Sequence, residues 1–255
     1  MLKLALEFQK KVIKILKSKE IENDAEKSNY FGGFRILNRI ADISHRNASR
    51  FVGIGLITMF FLSIVGILFT LQNIIIPGDA TTTVNNIRAN QLQFYIGIVI
   101  YFIILTLDVI VAVALFVILK PVNRNLASLV IVLRLSYTTI MVFSIVSLAL
   151  LFIDIYSNGV LLAYLFFTPH IFVLGYAVFK SGYIPKSLGG LLVIASICYL
   201  ILNFGQFFIP NEWYDPLYML AMIPATFAEI SLGIWLLLKA NLVEKKIVKM
   251  TTLQK

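Results

Sequence analysis

Six long apolar blocks decide what this chain can become. They cover about residues 51–72, 93–119, 126–152, 158–179, 188–209 and 217–239, and each exceeds the roughly 20 residues that cross a hydrocarbon core. Inside lipid, backbone polar groups must be satisfied within the segment, so blocks of this length read as helices. The turns expected between them, at 120–125, 154–158, 180–186 and 210–216, are rich in Pro, Gly, Asn and Lys. The fold class that follows is all-α, a polytopic six-helix transmembrane bundle. Composition agrees: 59% of the 255 residues are hydrophobic and 14% charged, against about 45–50% and about 25% in soluble domains. Six spans leave little room for a separate soluble domain.

The formal charge of +9 raises nucleic acid and anionic lipid as partners. The basic residues flank apolar spans, so lipid is preferred and nucleic acid is not. Lys and Arg crowd the N-terminal segment, the turn with Lys120 and Arg124, the turn with Lys180 and Lys186, and the C-terminal tail; the alternate loops hold only Arg88. That alternation predicts an even number of spans in a cell membrane, with both termini cytoplasmic. Residues 1–45 read as a basic extension, 46–240 as the membrane domain and 241–255 as a basic cytoplasmic tail. In residues 1–19, Ala5, Phe8, Val12 and Leu16 share a helical face while Lys10, Lys11, Lys14 and Lys17 sit mainly around the other side. This predicts an amphipathic interfacial helix on anionic lipid, or a solvated helix docked on the protein. Residues 31–50 read as a second interfacial segment, and Asp79 as the N-cap of a short helix over 81–88. The single cysteine, Cys198, builds neither a disulfide framework nor a thiolate metal site. No cleavable signal peptide is expected.

A few polar residues interrupt the spans. Asp108, His170 and Glu229 each lie within about two residues of their span's middle, hence within about 3 Å of the midplane at the helical rise. All three helices run in the same direction, so the groups share one depth. Arg134 lies about five residues from its own midpoint, roughly 7–8 Å toward the cytoplasmic side, and its long stem can reach that layer. Tyr137 and Thr138 stand one turn beyond it. Ser196, Tyr199, Asn203 and Gln206 recur on one face of the fifth span. Charges at bilayer depth are costly and turn inward to partners. The expected site is therefore a midplane layer of Asp108, Arg134, His170 and Glu229, with Tyr137 and a wall of Tyr199 and Asn203.

Several stretches, in order, resemble a known family: Ile76-Pro77-Gly78-Asp79-Ala80, Leu107-Asp108-Val109, Lys120-Pro121-Val122-Asn123-Arg124, Leu133-Arg134-Leu135, His170, Lys180-Ser181-Gly182-Tyr183-Ile184-Pro185 and Glu229. Over about residues 46–240 the chain is similar to the bacterial and archaeal membrane family designated domain of unknown function four-three-eight-six. The resemblance implies a six-span fold and no established activity. After Cys198-Tyr199-Leu200 the family often carries an Asp-Ser pair, where this chain has Leu202 and Asn203.

Three chemistries suit the layer. Two carboxylates beside an imidazole can relay protons; the same groups can ligate a metal, although no HExxH pattern is present; Arg134 can hold an anion. The functional readings stay open among three classes. One is a protein that handles a small molecule, ion or lipid through a midplane pocket. Another is a non-catalytic scaffold or subunit that binds a partner membrane protein, a second copy or anionic lipid. The third is an intramembrane metalloenzyme. A purely structural ion cluster that fixes helix register stands beside them.

Overall fold

A computed structural model describes residues 43–253, Pro77 excepted, without the side chains at 67, 68, 206, 211, 212, 215, 219 and 253. The amphipathic reading of residues 1–19 and most of the interfacial reading of 31–50 lie outside the described residues.

Every regular element described is helical. Helix α1 (His45–Ser63) passes into a π-helical stretch over Ile64–Leu71, and α2 (Ala80–Ala89) is a short helix in the following loop. Helices α3 (Gln91–Leu119), α4 (Arg124–Ala149), α5 (Ile153–Lys180), α6 (Lys186–Phe204) and α7 (Asn211–Leu238) complete the apolar set. Helix α8 (Ala240–Leu253) follows. Six helices are long and apolar enough to span a membrane. Their outward faces carry exposed Phe61, Phe69, Val99, Phe143, Leu165 and Leu220, as lipid contact demands of surfaces this apolar.

The sequence signature turns are caps. Asp79 Oδ1 accepts from the Thr82 backbone N–H at 2.9 Å and Oδ2 from the Thr82 hydroxyl at 2.6 Å, starting α2. Asn123 Oδ1 accepts from the Leu126 N–H at 3.0 Å and starts α4. At the α5–α6 turn Gly182 has φ +70°, a conformation glycine adopts without steric cost. The Ser181 hydroxyl donates to the Val178 carbonyl and accepts from the Ile184 N–H. The buried Tyr183 hydroxyl donates to Ile118, whose carbonyl lies in the last turn of α3 where the helix itself offers no donor.

Four expected boundaries are corrected. Residues 154–158 are helical, not a turn: Asp154 falls in the first turn of α5, where a carboxylate suits the positive end of the helix dipole. The turn is Leu150–Phe152, with Leu151 at φ 64°. Residues 211–216 are also helical, because the Trp213 and Tyr214 N–H groups bond back to the Pro210 carbonyl at 2.9 Å; Pro216 then removes only one ladder donor. The fifth span stops at Phe204 and a 3-10 turn covers Gly205–Phe207, so the face drawn through Ser196 and Tyr199 ends at Asn203. His45–Arg50, expected in an interfacial segment, belong to the first turns of α1.

The spans form a closed ring. Each packs on its neighbours in the order α1, α3, α4, α5, α6, α7, and α7 returns to α1. Glycines set two of the closest approaches. A Cβ on Gly53 of α1 would lie 2.7 Å from the Gly233 carbonyl of α7, and one on Gly175 of α5 would lie 2.8 Å from the Gly189 carbonyl of α6. Small residues let helix backbones touch this way in lipid, where dispersion replaces the hydrophobic drive. Helix α8 lays buried Ala240, Val243 and Ile247 toward the bundle, against α1, and leaves Lys245, Lys246 and Lys249 exposed.

Candidate functional site

The ring brings four charged or titratable groups from four helices to one point. Arg134 of α4 is 0% exposed, Asp108 of α3 1% and His170 of α5 0%, while the Glu229 side chain of α7 keeps 17%. Arg134 Nε donates to Asp108 Oδ1 at 2.9 Å, and Nη2 lies 2.6 Å from the same oxygen, within ion-pair range but off the hydrogen-bonding angle. Nη1 donates to Glu229 Oε1 at 2.8 Å. Helices α4 and α7 lie on opposite sides of the ring, so the guanidinium bridges its interior. Five fixed donors and a planar fork suit Arg, and not Lys, to several partners at once. The Thr138 hydroxyl donates to Asp108 Oδ2.

His170 has a definite role in this network. Its Nδ1 lies 2.9 Å from the Val130 carbonyl, which can only accept. The proton therefore sits on Nδ1, leaving a lone pair on Nε2, 3.1 Å from Arg134 Nη1. His170 is an acceptor for the guanidinium and forms no hydrogen bond to either carboxylate.

Above this layer, toward the end that carries the 72–90 loop, is a cavity of about 240 Å³. The Asp108–Arg134–Glu229 set forms its floor, and Tyr101, Tyr137, Tyr164, Phe167 and Tyr199 supply aromatic walls. The Phe167 ring stands at 89° to those of both Tyr164 and Tyr199, 5.8 Å and 5.0 Å away, and 4.6 Å from Tyr137. The Tyr199 hydroxyl donates to the Ala225 carbonyl at 3.0 Å, tying α6 to α7. Among the described residues the hydroxyls of Tyr101, Tyr137 and Tyr164 have no protein hydrogen-bond partner, and none is sealed from the cavity.

Of the residues singled out in the sequence, Asp108, Arg134, Tyr137, Tyr199 and Glu229 line the cavity, and His170 stands behind Arg134. Asn203 does not join them: its amide donates to the Tyr199 carbonyl at 2.8 Å, one turn back on its own helix. Tyr101, Tyr164 and Phe167 were not foreseen. A signal for Phe167 exists, since it precedes His170 by three residues and so shares its face, and Tyr164 stands one further turn back, beside Phe167 but about 120° round the helix from His170. The metalloenzyme reading finds no site here. Among the described residues no three His, Cys, Asp or Glu side chains are placed to hold a metal ion, and the guanidinium already fills the space between Asp108, Glu229 and His170.

The family described as domain of unknown function (DUF4386) matches residues 51–151 and 146–240. The chain belongs to the DUF4386 family. This DUF4386 protein is 36% identical over 150 residues, 57% of its own length and 84% of the other, to an uncharacterised protein of Archaeoglobus fulgidus. No solved structure matches it. The family match, over residues 51–240, includes Asp108, Arg134, His170 and Glu229, and neither comparison brings a named activity.

Proposed function

We propose that this protein handles a small molecule, ion or lipid through the cavity above the Arg134 layer. The observation that carries the reading is the cavity itself. It is polar at its floor, aromatic at its walls, and more than tenfold larger than the ~10–15 Å³ that admits one water. Ion clusters that only fix helix register have no need of such a space. Ionisable groups inside a membrane mark substrate and ion paths more often than not. The unpartnered tyrosine hydroxyls add hydrogen-bonding capacity that the fold does not use.

The test is retention. Purified protein exposed to a metabolite and lipid extract, washed and analysed by native mass spectrometry, retains a bound compound. Ser63→Phe loses that compound, because Ser63 lines the cavity and its own hydroxyl bonds only to Met59, one turn away. A protein that retains nothing, or a filled variant that retains the compound as well as the parent, overturns the reading.

The Lys and Arg alternation supports a cell-membrane orientation with both termini cytoplasmic. The exposed lysines of α8 fall at the same end as Lys120 and Lys180, where anionic lipid headgroups would meet them.

A further inference from the structure

The cavity's charge and lining point to one class of ligand. Its floor holds two carboxylates and one guanidinium, and the neutral tautomer of His170 adds no charge. By formal count one negative charge is left over. Its position follows from the hydrogen bonds. Asp108 spends Oδ1 on Arg134 and Oδ2 on Thr138. Glu229 spends Oε1 on Arg134, while Oε2 has no protein partner among the described residues. Glu229 is also the one member of the layer with appreciable exposure, and it lines the cavity. Arg134 is the only Lys or Arg among the lining residues, and it is already committed.

We propose that the cavity binds a small organic monocation of the alkylammonium type, seated between Glu229 Oε2 and the faces of Tyr137, Tyr164, Phe167 and Tyr199. This rests on the reading of the cavity as a ligand site. An aromatic face attracts a cation through its quadrupole, more strongly where water is excluded, and cages of such faces recognise quaternary ammonium groups. A bare inorganic cation instead needs a full shell of oxygen ligands; beyond the carboxylates the lining offers only neutral hydroxyls set among aromatic rings, which suits an organic cation better. An anion would meet the spare carboxylate with no free counter-charge. At about 240 Å³ the space lies below the roughly 300–1,000 Å³ of drug-sized sites, which limits the ligand to a compact molecule.

The experiment uses the full chain in nanodiscs of zwitterionic lipid, with tetramethylammonium as probe and tert-butanol as its neutral counterpart of similar shape. Titration calorimetry is expected to show saturable tetramethylammonium binding and none for tert-butanol. Tyr164→Leu weakens it about tenfold and Tyr164→Phe hardly at all, because the ring face and not the hydroxyl makes the contact. Glu229→Gln weakens it by a similar factor. Should Glu229→Gln fail to fold, the Tyr164 pair decides alone, since the Tyr164 hydroxyl has no hydrogen-bond partner to lose among the described residues. Three results overturn the assignment: tert-butanol binding as well as the probe, sodium or potassium displacing the probe at equal concentration, or Tyr164→Leu binding like the parent. An absence of saturable binding overturns it too. A neutral or acidic compound retained in the extract experiment, and lost from Ser63→Phe, would also sink the cation while leaving the cavity a ligand site.

Discussion

Arg134 is the residue on which the membrane interior is balanced. It reaches two carboxylates and an imidazole from three other helices while fully buried. Removing one partner of such a set leaves uncompensated charge, which costs about 3–5 kcal/mol, whereas replacing all charges by apolar groups is often neutral. Arg134→Leu is therefore expected to lower stability by about that amount. Adding Asp108→Leu and Glu229→Leu should restore most of it. Thermal unfolding in detergent checks both, and a single variant as stable as the parent would remove Arg134 from its central place. The four charged or titratable groups were legible in the sequence because each interrupts an apolar run where lipid tolerates none. Their partners were less so. Nothing in the spacing says that a side chain seven or eight ångströms off the layer by helical rise crosses the ring to Glu229. Tyr101, Tyr164 and Phe167 were hidden because aromatic residues are common on lipid-facing surfaces too. Asn203 was misplaced for the opposite reason: its helical spacing from Tyr199 is right, but a carbonyl on its own helix satisfies its amide first.

At the scale of elements, the stretches that carry the family resemblance build turns, and isolated residues within the spans build the site. Asp79, Asn123 and the Ser181–Tyr183 group all satisfy backbone atoms at helix ends. Burial pushes the Tyr183 phenol up, which keeps it a donor to Ile118 at every ordinary pH. The Asp79 cap, by contrast, is sensitive to acid. The hydroxyl and N–H of Thr82 hold its carboxyl below the usual aspartate value. A lowered native value makes the capping contribution complete above the unfolded aspartate value and lost as pH falls through the native one. Amide exchange at Thr82 and Thr83 is thus expected to quicken as pH drops below about 4, with the intrinsic pH dependence subtracted. Asp79→Asn should flatten that response, and an unchanged profile would dissociate α2 from its cap. The existence and number of spans were legible because apolar length survives any tertiary context. Their ends were not: Asp154 and Pro216 belong to common turn formers, yet both sit inside helices where the first turn or a single lost donor accommodates them.

At the scale of the whole molecule, sequential packing of six spans into a closed ring makes an interior, and the Arg134 layer divides it into unequal halves. On the side of the 72–90 loop lies the cavity, lined out to Ser63, Tyr101 and Tyr164. On the side of the basic turns, Leu115, Ile118, Val130 and Leu174 are buried in apolar packing. No span needs to break to create this asymmetry. It follows from placing the lining positions of α3, α4 and α7 level with Asp108, Arg134 and Glu229 or on the 72–90 side of them, and those of α5 on the same side of His170. Under the proposed reading of the cavity as a ligand site, a ligand enters and leaves from that one side unless the layer opens. Thiol labelling tests the division directly. With Cys198, which is buried, replaced by Ala, single cysteines at Ser63 and Tyr101 are expected to react with a small aqueous methanethiosulfonate. Cysteines at Leu115 and Leu174 are expected to stay unreacted within the same exposure time. Adding tetramethylammonium should protect the first pair and leave the second unchanged. Equal labelling of all four would mean that water passes the guanidinium, and the molecule would then be a conduit open at both ends instead of a chamber with a closed floor.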